Sequence, residues 1–149
     1  MAKTLTAGLA GLAAAAGLAA APTPAPSIQG PIVKAPLDDI LTVGEAQVAC
    51  TGVGIAARTD PRWKTFGLKL MFAAPSGDYL SDEIVSVTNA SGEHLVSVYC
   101  QAPWVLLKLP PGRYDIAARL NGSNAATRAT SLTVPRTGQA GFVFHFPDA

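Results

Sequence analysis

Charge is scarce in this sequence, and what there is nearly cancels. Of 149 residues only 14% are charged, eleven basic against ten acidic. No Lys/Arg cluster stands anywhere to attract a polyanion, so a nucleic-acid partner is not expected. Histidine is equally thin, with two in the chain. The motifs that would declare a common catalytic centre are missing: there is no G-x-S-x-G, no H-E-x-x-H, no C-x-x-C and no phosphate-binding P-loop. "GVG" at Gly52 to Gly54 lacks the strand-to-helix unit that a dinucleotide loop needs. His94 and His145 lie about fifty residues apart, far short of a tetrahedral ligand set on their own. Asp82 and Glu83 are adjacent, so on a strand they point to opposite faces and cannot act as a carboxylate pair. These absences argue against an enzyme and against a cofactor or metal.

Apolar residues are plentiful by contrast, at 49% of the chain. That composition excludes a disordered polymer and allows a packed core. Residues 1–21 read as a signal peptide: Lys3, then an uncharged Ala/Leu/Gly run, then small residues before Pro22. The run is too short and too rich in alanine for a membrane span, so no stable span is expected in the mature protein. Cleavage is placed near Ala20, and the mature chain is expected to be periplasmic or secreted. The lack of a cysteine just after the run disfavours a lipid anchor. Residues 22–36, "PTPAPSIQGPIVKAP", read as a Pro-rich extended linker. Residues 37–65 form an N-terminal extension with no clear pattern. "LDDILTVGEAQVAC" permits a helical turn near Asp38 and Asp39 followed by a short strand, and "IAARTDPRW" permits another turn ended or restarted by Pro61.

From Phe66 to the end, 66–149, the hydrophobic period is two. Leu68, Leu70 and Phe72 share one face, as do Val85 and Val87, then Val96, Val98 and Cys100. Tyr114, Ile116, Ala118 and Leu120 follow, and Phe142, Phe144 and Phe146 close the series. About seven short strands with turn clusters at roughly ten-residue spacing predict an all-β sandwich. "LPPG" supplies one of the turns. Pro111 presets one central angle of a type II turn and Gly112 the positive φ that follows, while Pro110 sits at a strand end where a missing amide donor does little harm.

Only two cysteines are present, Cys50 and Cys100. In an exported chain an even count favours a disulfide, and two residues admit one pairing. Two separate buried thiols are the alternative. Three aromatic residues fall outside the alternating rows: Trp63 in the extension, Tyr79 in the "SGDYLS" turn, and Trp104 after "QAP". Each either fills a gap at the end of the sandwich or offers a face to a ligand.

The run "GDYLSDEIVSVTNASGEHLVSV…APWVLLKLPPGRYDIAARLNG" resembles carboxypeptidase regulatory-like domains of the transthyretin-type β-sandwich class. Val85, Val87, Gly92, Leu109, Pro111, Gly112, Tyr114, Ile116 and Ala118 stand at that pattern's places, and the likeness runs from about Leu68 to Phe146. It implies an antiparallel sandwich of transthyretin/carboxypeptidase-regulatory-like type, in a small exported bacterial protein. It implies little about activity, because such domains serve many systems. The hydroxyisourate hydrolases of the same class share only the sandwich; their Tyr-Arg-Gly-Ser tail has no counterpart in "FHFPDA". The function expected is therefore a non-catalytic binding or structural accessory module of the envelope, with a carbohydrate-binding module and, behind it, a hydrolase with an unrecognised site as the alternatives. Its partner would be an envelope protein, a peptide or a glycan, the last through exposed aromatics.

Overall fold

A computed structural model of the chain describes residues 27–149 together with Gly11 and Gly17. Apart from those two glycines, the expected signal segment lies outside the described residues, as does the beginning of the Pro-rich stretch. The ten strands are β1 (Ile32–Lys34), β2 (Ile40–Val43), β3 (Ala46–Thr51), β4 (Leu68–Ala73), β5 (Glu83–Asn89), β6 (His94–Cys100), β7 (Trp104–Lys108), β8 (Gly112–Leu120), β9 (Arg128–Val134) and β10 (Ala140–His145). A helical turn α1 (Ile55–Arg58) and a 3-10 turn (Pro61–Thr65) lie between β3 and β4. The strands form two five-stranded sheets, β1-β6-β5-β8-β9 and β10-β4-β7-β3-β2. The fold is an all-β sandwich.

The alternating rows named from the sequence line its interior. Leu70, Phe72, Val85, Val87, Val98 and Val105 are all fully buried in one apolar cluster between the sheets. Side chains of opposite parity point outward, as a pleated strand requires. Seven strands follow Phe66, as the period-two pattern predicts. Two features of that prediction are corrected. The sheets are not wholly antiparallel: β10 runs parallel to β4 and β1 parallel to β6. The chain before Phe66 is also part of the sandwich rather than a linker and an irregular extension.

The reasons are local. Within 22–36, Ile32–Lys34 lies between Pro31 and Pro36 and makes a three-residue edge strand, with Val33 opposite Val98. At an edge the flanking prolines cost no ladder bond. Within 37–65, β2 and β3 form a hairpin with Ile40 opposite Ala49, and β3 lies inside its sheet between β2 and β7. There is no helical turn at Asp38; its backbone takes φ +56°, and its amide donates to the Cys50 carbonyl at 2.9 Å. β3 escapes a period-two reading because it is covered on both faces. Val48 and Cys50 face the core, while Ala49 packs against Trp63, Phe66 and Leu106 outside it.

Cys50 and Cys100 form the expected disulfide, joining β3 of one sheet to β6 of the other with Cα atoms 5.5 Å apart. The Leu109–Gly112 stretch carries the chain between the sheets, from β7 to β8. Gly112 has positive φ, at +148°. That is well beyond the roughly +80° of a type II turn. The difference follows from the topology, since β7 and β8 belong to different sheets and no hairpin has to be closed. Tyr114 completes the corner: its hydroxyl donates to the Pro110 carbonyl at 2.7 Å. This tie of a strand-start tyrosine to backbone just upstream is the tyrosine-corner device of β-sandwiches.

Candidate functional site

The segment between β3 and β4 carries the helical turns of the described chain and is its longest non-strand connection. It begins at Gly52, whose φ of +106° turns the chain off β3. Asp60 starts the 3-10 turn by accepting from the Arg62 amide at 2.9 Å, and Pro61 fixes φ at its first position. Trp63 and Phe66 then pack edge to face on Ala49 and Leu106, a small second core on the outside of the sheet. The Trp63 indole N–H donates to the Ala57 carbonyl at 2.9 Å, and Gln139 clamps the segment from the far side through the Trp63 and Phe66 carbonyls.

This arrangement brings the three singled-out aromatics to one end of the sheet. Trp63 and Trp104 line a common cleft of about 180 Å³, together with Arg58, Lys64, Lys69 and Asp60. Arg58 lies 5.5 Å from the Tyr79 ring centre and 5.9 Å from that of Trp104, which links Tyr79 to the group. Lys69 places its ammonium 3.4 Å from the Trp104 centre, and Arg62 its guanidinium 4.6 Å from Trp63. The aromatics differ in access. Trp63 is 4% exposed and Trp104 8%, whereas Tyr79 is 51% exposed. Trp104 is also crowded by backbone, since a Cβ on Gly52 would lie 2.7 Å from its Cγ. The indoles are therefore walls of the cleft, and Tyr79 alone presents an open ring.

Charge in the cleft is unbalanced. Its one acid, Asp60, is bound to Arg62 through Nε at 3.0 Å and Nη2 at 2.8 Å. Those bonds hold the carboxyl below the ordinary Asp range. It is the only ion pair among the described residues. Burial, and then the charge of Arg58, push the Lys69 ammonium below the usual lysine range. The Trp104 indole N–H is buried with no acceptor. Sequence reasoning found the three aromatics and missed Arg58 and Lys69, which meet only when the segment folds over the sheet.

A second polar group lies on the outside of the other sheet. Ser86 and Ser97 face each other across β5 and β6 with hydroxyls 3.0 Å apart. His94 Nε2 is 2.9 Å from the Ser97 hydroxyl, which also donates to the Gln29 carbonyl. Ser97 is fully buried beneath this strap, so the pair holds the N-terminal segment to the sheet and has no open face. His145 is exposed at the end of β10. Among the described residues no group of three His, Cys, Asp or Glu is placed to hold a metal.

The residue least expected is Glu83. As anticipated, Asp82 and Glu83 point opposite ways: Asp82 accepts from the Tyr99 hydroxyl at 2.7 Å at the surface. Glu83 shares the inward parity of Val85 and Val87 and stands opposite Cys100 and Leu120. It is fully buried, and neither carboxyl oxygen has a partner. Burial, with a smaller push from Asp82, raises its pKa to about 9. It is a neutral acid in the core at physiological pH, closed to solvent. Among the described residues no helix is long and apolar enough to cross a membrane. The chain matches no protein-family model and no curated protein.

Proposed function

We propose that the protein is an exported, non-catalytic binding or accessory module of the bacterial envelope, built on a sandwich of the carboxypeptidase regulatory-like type. The observation that carries the binding reading is the Gly52–Thr65 segment. It is laid over one sheet face and gathers cations and aromatics in one cleft. The same segment exposes large apolar side chains: Val53 is 66% and Ile55 82% exposed. Large exposed apolar side chains beside charged ones are a common signature of protein contact surfaces. Export is supported by the Lys3-then-Ala/Leu leader and by the disulfide, which is compatible with an oxidising compartment. The two facing sheets and the Tyr114 corner fit the suggested likeness.

The sugar-binding alternative needs several open aromatic faces, and the low exposure of Trp63 and Trp104 leaves it one. The test is fractionation and intact mass of the native protein, followed by capture of partners from envelope extract and reconstitution with purified components. A mature species lacking Lys3, found outside the cytoplasm and holding a defined partner, is expected. A full-length cytoplasmic species would overturn export, and turnover of a substrate by the purified protein would overturn the non-catalytic reading.

A further inference from the structure

The cleft between the Gly52–Thr65 segment and the sheet has more positive charge than the chain neutralises. Arg58 and Lys69 both lie within 6 Å of the centre of the Trp104 ring. Lys64 joins them on the wall, and Asp60 is already taken by Arg62. Placing two cations over one ring, with partial burial of one of them, costs energy that the ring's negative face offsets in part. Arg58 uses one donor, Nε, on the Gly52 carbonyl at 2.8 Å, and among the described residues no carboxylate within the cleft pairs with Arg58 or Lys69. Two such cations have a natural chemical complement in an oxyanion, which accepts from several donors and carries the missing charge.

The surroundings indicate what carries that oxyanion. A saccharide would stack on open aromatic faces, and the two indoles are nearly closed. What is open is Tyr79 beside Arg58, with Val53 and Ile55 in the same loop as Arg58. That combination suits a short stretch of polypeptide with an acidic side chain next to apolar ones.

We infer that this cleft is a docking site for an acidic, apolar-flanked peptide segment of a partner protein, whose carboxylate is received by Arg58 and Lys69 beside the Trp104 ring. The inference rests on the binding-module reading and names its ligand class. Tyr79, Val53 and Ile55 then cover the neighbouring apolar side chains. Lys64, exposed on the same wall, contributes attraction at longer range.

The experiment is a titration of the full-length, isotope-labelled protein followed through the indole N–H resonances. Its probes are a capped six-residue Glu/Leu peptide, the same peptide with Gln for Glu, glucuronate, and inorganic phosphate. The Glu/Leu peptide is expected to move the Trp104 indole signal saturably, with the Gln/Leu peptide at least tenfold weaker. R58Q and K69M should each weaken the Glu/Leu peptide at least tenfold. Lys69 lies against Trp104, so R58Q, a change at an exposed residue, keeps the test open if K69M disturbs the ring. Equal binding of the Gln/Leu peptide, or an unmoved Trp104 signal, would overturn the site. Glucuronate or phosphate binding as tightly as the peptide would assign the cleft to an acidic glycan or a small anion instead. A reconstituted partner that binds R58Q and K69M as well as the parent protein would overturn this site while leaving the binding-module reading standing.

Discussion

Two residues of this protein sit where ordinary preferences would not put them, and each has a measurable consequence. Glu83 is a fully buried carboxyl without a hydrogen bond, its pKa raised from 4.5 to about 9. A raised carboxyl pKa means that the folded state holds a proton the unfolded chain releases. The Glu83 contribution to stability is therefore intact below pH 4.5 and is lost as pH climbs toward and through 9. The slope of such a loss is at most about 1.4 kcal/mol per pH unit. Melting temperature should fall with pH across that window, and E83M should flatten the fall. E83M should also raise stability at neutral pH, by on the order of 1–3 kcal/mol, because it removes an unsatisfied polar group without opening a cavity. A less stable E83M would mean that the carboxyl has a partner after all. Gly52 is the second case. At φ +106° and with Trp104 Cγ 2.7 Å from the site of a Cβ, it tolerates no side chain. G52A should cost on the order of 1–3 kcal/mol and displace the indole, read as a shift in tryptophan emission. An unshifted emission with an unchanged melt would contradict the contact.

At the scale of elements, legibility followed how many faces of a strand are buried. β4 and β8 bury one face strongly, so Leu68-Leu70-Phe72 or Tyr114-Ile116-Ala118 stand out by period alone. β5 and β6 are covered on both faces, but the polar Ser86 and Ser97 between their valines keep the alternation visible. β3 is buried on both faces and β1 is three residues at an edge, and neither leaves an alternation to read. The same logic governs the site. Trp63, Tyr79 and Trp104 are conspicuous as residue types, but Arg58 and Lys69 are ordinary surface residues until α1 is laid across the sheet. Glu83 could have been found, since its parity with Val85 and Val87 already directs it inward. The β7-to-β8 crossover is legible for its glycine and less so for its geometry. Gly112 keeps a positive φ of +148° with open space where a Cβ would be, so a substitution meets backbone strain rather than a clash. G112V should destabilise by roughly 1–3 kcal/mol while leaving the cleft intact. Thermal melts together with peptide affinity decide it; an unchanged midpoint would show that the crossover does not depend on that angle.

At the scale of the whole molecule, the question is what makes two sheets and an N-terminal hairpin one cooperative unit. The Cys50–Cys100 bridge closes a separation of 50 residues and crosses from one sheet to the other. Loop closure of that size contributes about 4 kcal/mol on the chain-entropy account. It is not the only tie. β3, which carries Cys50, is hydrogen-bonded to β7 from Gln47 through Thr51, and its Val48 sits in the common core with Leu70 and Val98. The small outer core of Ala49, Trp63, Phe66 and Leu106 fastens the next segment over it. Reduction should therefore lower stability without detaching the N-terminal strands. In a thermal melt under reducing conditions the midpoint should drop, by roughly 15 °C if the full 4 kcal/mol is lost, and unfolding should remain a single transition. The C50A/C100A variant should behave alike, somewhat lower still because each truncation leaves a buried gap. Hydrogen exchange would then show β2 and β3 losing protection together with β7. A first transition confined to β1–β3 would instead make the hairpin a separate piece held mainly by the bridge, and the unity ascribed here to β3–β7 pairing would be wrong.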